Sequence, residues 1–495
     1  MHGFLTSSIG VTCAAALALP LTAAPATATA ATGRAAPASA PDRTPAGAYV
    51  PGSTQSLPLA PLTGDRASTA PGIAVQGVPR RDTRRFSLVG VVWDDPATAL
   101  HGRVQIRTRA TETGAWSDWQ DLETHNADHA ADPGTAEGAS GGVRGATAPL
   151  WVGDSDGVEV RVRAADENDT TAPATTPLPT GMRLELVDPG EGTPPQPATD
   201  TASPAKGPRT TALPPGTTEA VEPAEPVDAA AAAEALGSTE SAEVFASVEG
   251  LDASAANAAL APLGATEIPA LSRLQTEKEA LTLGTLTEQQ KAKPYVGPRP
   301  GITTRRGWGA DEKLREKKFV YTKKVKAAFV HHSATGNNYR CSQAPSVIRG
   351  IYRYHVKSMR WRDIGYNFLV DKCGKIYEGR AGGVSKPVLG AHTMGFNSNS
   401  MGIAVLGTYG SKKPSSAAVK AVARLTAWKL GLYGVNPRGK TYLKSGGGNL
   451  YRKGKNVRLN VISGHRDGFS TSCPGTQLYK KLGSARSSAA KYQGR

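Results

Sequence analysis

Ten residues, Lys326 to Thr335 (KAAFVHHSAT), constrain this chain more than any other stretch. Ala327, Phe329 and His331 alternate with Ala328, Val330 and His332. A strand of that period sends successive side chains to opposite faces, so its rigid end delivers one imidazole to each face. Downstream, a second apolar run (Val457, Leu459, Val461) leads to His465, and Cys473 follows eight residues later. Either histidine of the pair, taken with His465 and Cys473, makes a three-ligand zinc set. Its fourth position stays open for water, the pattern of a catalytic rather than a structural site.

The chain has 495 residues, but 36 prolines and 55 glycines make much of it linker, and two folded units are expected. Residues 1–30 read as a secretory signal. A polar start without Lys or Arg passes through an apolar stretch (Ile9 to Ala23) to small-residue sites such as Ala26-Thr27-Ala28. No other stretch approaches about 20 apolar residues, so the mature chain is expected to be exported without a transmembrane segment. Cys13 falls in the signal, which leaves three cysteines. An odd count in a secreted protein gives one thiol another task. Pairing Cys341 with Cys373 leaves Cys473 for the metal, and closing that loop contributes roughly 3 to 4 kcal/mol.

The net charge of +16 conceals a split. From Pro298 onward, 38 Lys and Arg face 7 Asp and Glu, a net of +31, while the remainder carries −15. A surface so basic is built to meet polyanions. Outside the cell these are anionic wall polymers and membrane surfaces; no nucleic-acid partner is expected.

In order along the chain, residues 31–82 are rich in Ala, Pro, Thr and Ser and are expected to be disordered. Period-2 runs (FSLVGVVW, VQIRTRA, GVEVRVRA, MRLELV) separated by turn residues predict an all-β, sandwich-like domain over 83–188. Trp93, Trp116, Trp119 and Trp151 lie in or beside these runs and suit core packing, an interface or sugar stacking. The stretch from Asn126 to Asp156 has acidic residues without ordered ligand spacing and reads as a solvated loop, not a calcium site. Residues 189–296 form a Pro/Ala/Thr-rich linker with possible short helices at Ala229 to Leu236 and Thr276 to Gln290, long enough to let the basic domain search a surface independently. The C-terminal domain, 297–486, mixes strands (Ala327 to Val330, Asn367 to Val370, Gly402 to Leu406, Leu459 to Ile462) with helices (Pro345 to Lys357, Ser415 to Leu432), an α/β pattern, and a basic tail occupies 487–495. Pro474 suits a first helical position, which would put the Cys473 thiol at a helix N-terminus and favour its thiolate.

Five segments resemble the peptidoglycan recognition proteins with a type 2 amidase domain. They are RRGWGADE (Arg305 to Glu312), FVHHSAT (Phe329 to Thr335), YRYHVKSMRWRDIGYNFLVDKCGKIYEGR (Tyr352 to Arg380), GAHTMGFNSNSMGIAVLG (Gly390 to Gly407) and GHRDGFSTSCPGTQLY (Gly464 to Tyr479). The resemblance spans residues 300 to 485 in the expected order. It implies a central mixed sheet flanked by helices and a zinc ion at the floor of a glycan-peptide groove. It further implies His331, His465 and Cys473 as ligands and Tyr366 beside the zinc. Thr471 falls at a position that is threonine in cutting members. His355, Trp361, His392 and Asn397 fall where groove-lining residues occur. Members without the cysteine bind peptidoglycan and do not cut it, so Cys473 implies an enzyme. Gly379-Arg380-Ala381-Gly382 departs from the Gly-Arg-Gly-Trp of many relatives and leaves the stem-peptide preference open. The implied activity is that of a secreted, wall-associated zinc N-acetylmuramoyl-L-alanine amidase. The opposing expectation is a non-cutting wall-binding or sensing protein. A glycosidase would need two convergent carboxylates. No pair among Asp311, Glu312, Glu316, Asp363, Asp371, Glu378 and Asp467 has an evident reason to converge.

Overall fold

The structure, a computed structural model, describes residues 50–62, 75–124, 129–165, 177–191, 252–284 and 286–495. The expected signal and the possible helix at Ala229 to Leu236 lie outside the described residues.

The N-terminal part is all β. Its strands are β1 (Ser53–Pro58), β2 (Ala60–Pro61), β3 (Val75–Trp93), β4 (Gly102–Ala110), β5 (Gln120–Leu122), β6 (Gly145–Ala146), β7 (Leu150–Ala164) and β8 (Arg183–Asp188). They pair antiparallel in the order β1-β8-β3-β7-β4-β5, with β2 and β6 also on β3. The long β3 slips register against β7 between Val78 and Arg81, Asp82 and Phe86, and Phe86 and Leu88, the kind of irregularity that bends a strand around a core. Alternate residues Val104 and Ile106, Val158, Val160 and Val162, and Leu184 and Leu186 fill that core. The sheet begins earlier than its period-2 runs indicate: β1 and β2 lie within the stretch expected to be disordered. Ser53–Pro58 has few large apolar groups because it is an edge strand, half solvated and held by its backbone pairing to β8.

FSLVGVVW is buried along its whole length. Val89 and Val91 enter the β core, while Leu88 and Val92 join a second cluster with Val347, Ile348 and Ile351 of the C-terminal part. A continuous apolar run of this kind marks a strand covered on both faces. Gly90 lies against Tyr354, whose hydroxyl a Cβ there would overlap. That hydroxyl donates to Thr147 O at 3.1 Å, and Trp151 N–H donates to Thr335 O at 3.1 Å. The basic domain therefore does not move independently: it shares a hydrophobic core with the β part.

The C-terminal part is built on β9 (Glu267–Ile268), β10 (Ile302–Thr303), β11 (Ala327–His332), β12 (Phe368–Val370), β13 (Ile376–Glu378), β14 (Ser400–Val405), β15 (Lys440–Lys444), β16 (Asn456–Asn460) and β17 (Ile462–Gly464). Seven of these form a mixed sheet in the order β17-β11-β14-β12-β13-β10-β9, with β11 parallel to both neighbours; β15 and β16 make a separate hairpin. The helix Ala344–Arg353, continued by a π turn at Tyr354–Ser358, covers one face, and Ser416–Gly431 covers the other. Ser415 caps the latter by accepting from Ala418 N–H at 3.0 Å.

Two expected boundaries move. Residues 252–296 are folded, not linker: Leu260, Ile268, Ala280, Leu286 and Val296 enter the main core, and β9 extends the sheet. The segment is helical at Arg273–Thr282 and Glu288–Ala292. It has too few large apolar residues to build a core, yet enough to dock on one. The expected basic tail likewise forms most of a helix, Leu482–Tyr492, whose Ala485, Ala489 and Ala490 are buried. Among the described residues, no helix is long and apolar enough to cross a membrane.

Candidate metal centre

The end of β11 separates its two histidines as the period requires. His332 Nδ1 accepts the Tyr409 N–H at 3.3 Å, and its Nε2 lies 3.4 Å from Glu123 Oε2. His331 turns to the opposite face, where its Nδ1 is 3.1 Å from His465 Nδ1 and 3.8 Å from Cys473 Sγ. His465 opens a 3₁₀ turn directly after β17, which pairs with β11, so neighbouring strand ends bring the two imidazoles together. Cys473 does not stand at a helix N-terminus: the next helix is Thr476–Tyr479, a single turn.

A fourth group completes the cluster, and it comes from the β part. His129 Nε2 is 3.5 Å from Cys473 Sγ, and its ring centroid lies 4.5 Å from that of His465 and 5.2 Å from that of His331. The donor atoms of His129, His331, His465 and Cys473 all lie within 4.8 Å of one another, and all four residues are buried. Tetrahedral zinc with nitrogen and sulfur donors needs donor separations of about 3.3 to 3.6 Å. Three of the six pairs span 3.1, 3.5 and 3.8 Å, around that range, and the donor types are those zinc takes, so the set fits zinc in kind. Burial, joined by repulsion from the neighbouring histidines, holds His331 well below its ordinary pKa; a neutral imidazole is the form that ligates. Thr393 Oγ1, 3.4 Å from His331 Nε2 and 3.0 Å from His392 Nδ1, is placed to orient the His331 ring from behind.

The remaining sequence-predicted residues divide. Tyr366 is buried with its ring 5.5 Å from that of His331. Thr471 Oγ1 accepts the Cys473 N–H at 3.2 Å and so shapes the ligand loop. His355 stacks on Trp361 at 4.5 Å and on Tyr366 at 5.8 Å, and its Nδ1 accepts the Gly365 N–H. Burial drives its pKa down to about 3. His392 is buried beside His331. Asn397 donates to Ala130 O at 2.9 Å and to Asp132 Oδ1 at 2.7 Å, both in the β part. Cys341 and Cys373 are bonded, and Cys473 is free of disulfide.

The described part of the loop between β5 and β6 is exposed at residues 138–142, as its acidic composition suggests, but three of its polar residues are buried. His129, Asp132 and Glu137 are 5%, 8% and 6% exposed. Asp132 Oδ1 also accepts Gly395 N–H at 2.8 Å. Glu137 makes a bidentate pair with Arg380 at 2.8 and 2.9 Å. Burial alone would raise the Glu137 pKa, but the Arg380 charge outweighs it and keeps the carboxylate ionised. Glu123, just before the loop, accepts from Ser472 Oγ at 2.8 Å. Sequence reasoning missed His129 because its stretch reads as a solvated loop and its Cys473 partner lies 344 residues away. Of the four tryptophans, Trp93 is core and Trp151 packs at the junction. Trp116 and Trp119 carry guanidinium groups on their faces, Arg80 at 4.4 Å and Arg161 at 4.1 Å.

Comparison with known proteins bears on both parts. Residues 39–180 match the family described as Rv3811 N-terminal galactose-binding domain-like, and residues 321–476 match N-acetylmuramoyl-L-alanine amidase. Peptidoglycan-recognition protein SC2 of Drosophila simulans is 32% identical over 157 residues, covering 31% of this chain and 71% of that protein. Peptidoglycan-recognition protein 1 of Holotrichia diomphalia is 34% identical over 187 residues, covering 37% and 79%. The solved wild-type Drosophila PGRP-LB aligns at 25% identity with a TM-score of 0.29, over 37% of this chain and 92% of that one. With its histidine and cysteine cluster at the end of β11 and the 32% identity over 71% of a peptidoglycan-recognition protein, the chain belongs to the peptidoglycan recognition protein / amidase_2 family.

Proposed function

We propose that this protein is an exported zinc-dependent N-acetylmuramoyl-L-alanine amidase that hydrolyses the lactyl amide between N-acetylmuramic acid and the first L-alanine of peptidoglycan. The observation that carries this reading is the buried set of His331, His465 and Cys473 at the sheet end, with the Tyr366 ring alongside. Those three residues would hold zinc. When bound, zinc supplies Lewis-acid chemistry, drawing charge from a carbonyl oxygen and lowering the pKa of water. The chain's own contributions follow from placement. Thr393 orients His331, the His355 and Trp361 rings pack behind Tyr366, and the Tyr366 hydroxyl, with that of Thr471, donates to the oxygen that becomes negative when the amide carbon turns tetrahedral. One observation favours the second reading, a wall-binding protein that does not cut: His129 brings the donors to four, and a closed four-ligand site is typical of structural zinc. Digestion of purified peptidoglycan, counting new amino termini and new reducing ends, tests the proposal. N-terminal alanine released without reducing ends supports it, reducing ends alone would mean a glycosidase, and neither product under any activating condition would leave the binding reading.

A further inference from the structure

We propose that His129 is a fourth zinc ligand delivered by the β part, and that residues 129–137 are an internal occupant of the groove, so that the full-length chain is a self-capped enzyme. The inference rests on the zinc amidase reading for what is being held in check, but its structural content stands apart from that reading. A cutting zinc site keeps one coordination position for water. Here the Nε2 of His129 approaches the thiol at 3.5 Å and supplies the fourth donor. Two further anchors seat the same loop. Asp132 Oδ1 takes hydrogen bonds from the Asn397 side chain and from Gly395 N–H, occupying a residue predicted to line the groove. Glu137 forms a bidentate ion pair with Arg380 in which both side chains are less than a tenth exposed. A buried pair of that kind is costly to break from one side, because the partner charge is left without compensation. In the second of these anchors the charges are complementary, a loop carboxylate on a buried guanidinium. The β sheet that carries the loop is itself fixed by the apolar cluster of Leu88, Val92 and Trp151 with the helix Ala344–Arg353. Ligand capture, groove occupancy and a rigid mount therefore coincide on one segment. Each opposes substrate entry, whether the protein cuts or only binds.

The test uses the full-length zinc-loaded protein, His129→Ala and Glu137→Ala. X-ray absorption at the zinc edge should show three imidazoles and one sulfur in the unaltered protein. In His129→Ala it should show two imidazoles, one sulfur and one oxygen. Binding of a soluble muramyl tripeptide, followed by calorimetry, should be weak in the unaltered protein and strengthened in both variants. Cleavage should rise about tenfold or more, as expected when a cap seated in nine molecules of ten is released. Two imidazoles in the unaltered protein, with equal tripeptide binding and turnover in all three, would overturn the cap and leave the amidase reading standing. Three imidazoles with binding unmasked in the variants, yet no amide cleaved by any of them, would uphold the cap and remove the amidase. The absorption measurement on the unaltered protein needs no substitution, so a variant that fails to fold does not shelter the idea.

Discussion

At the scale of single residues, two side chains make different demands on the same fold. On the zinc amidase reading, Cys473 is the one sulfur donor beside three histidines, so Cys473→Ser should loosen the zinc, giving faster loss to a chelator, and abolish cleavage. Metal analysis beside the digestion assay checks this, and a variant retaining both zinc and turnover would remove the assignment. Glu378 is fully buried at the end of β13, accepting from Asn257 Nδ2 at 2.9 Å and from Arg305 N–H at 3.1 Å. Burial is the main reason its carboxyl is pushed up to about 7 from an ordinary 4.5. A raised carboxyl pKa means the folded state holds a proton that the unfolded state releases. Its stabilising share is therefore complete below about pH 4.5 and is lost as pH climbs to about 7, a fall of up to about 3 kcal/mol. Melting curves between pH 5 and 8 should show that decline in the unaltered protein and a flatter profile in Glu378→Gln; parallel profiles would rule out Glu378 as the source.

At the scale of elements, the segment before β10 shows how a stretch that reads as linker becomes part of a domain. Asn257 joins it to the sheet: Nδ2 donates to Glu378, and Oδ1 accepts the Val384 N–H at 2.8 Å. Asn257→Ala would leave one buried carboxyl oxygen of Glu378 and the buried Val384 N–H without this partner at once. The expected loss is about 1 to 3 kcal/mol for each group left unpaired. Equilibrium denaturation measures it, and a change within a few tenths would mean the segment is only loosely docked. Elements with strong periodicity were legible beforehand. The helix Ser416–Gly431 lies within one residue of its expected limits at each end, because Val422, Leu425 and Trp428 mark a helical stripe and Ser415 supplies a cap. The run Val457 to Ile462 was legible as apolar but not as two strands. Asn456–Asn460 turns away to pair with β15, and only Ile462–Gly464 joins the main sheet.

At the scale of the whole molecule, the chain carries a net charge of +16, and the part from Pro298 onward is its basic portion. We propose that the excess Lys and Arg hold the protein on anionic wall polymers. Capture spread over many exposed charges should weaken steeply between about 50 and 500 mM salt, a range over which the Debye length falls roughly threefold. Adsorption to intact walls should fall across that range, and walls stripped of teichoic-type polymers should bind poorly even at low salt. Equal, salt-indifferent binding to both would leave the charge with no role in capture.

The sequence alone determined the parts whose cause is local or carried by a motif: the alternation of β11, the amphipathic helices, the grouping of His331, His465 and Cys473, and the pairing of Cys341 with Cys373. Each rests on spacing within a few residues or on a motif that survives as text. Only the tertiary structure decided that His129, Asp132 and Glu137 are buried against Cys473, Asn397 and Arg380, because these partners lie more than 200 residues away. An acidic loop in solvent and an acidic loop buried on arginine and asparagine have the same composition. What distinguishes them is the surface opposite, and that surface exists only once the β sheet and the amidase domain share a core.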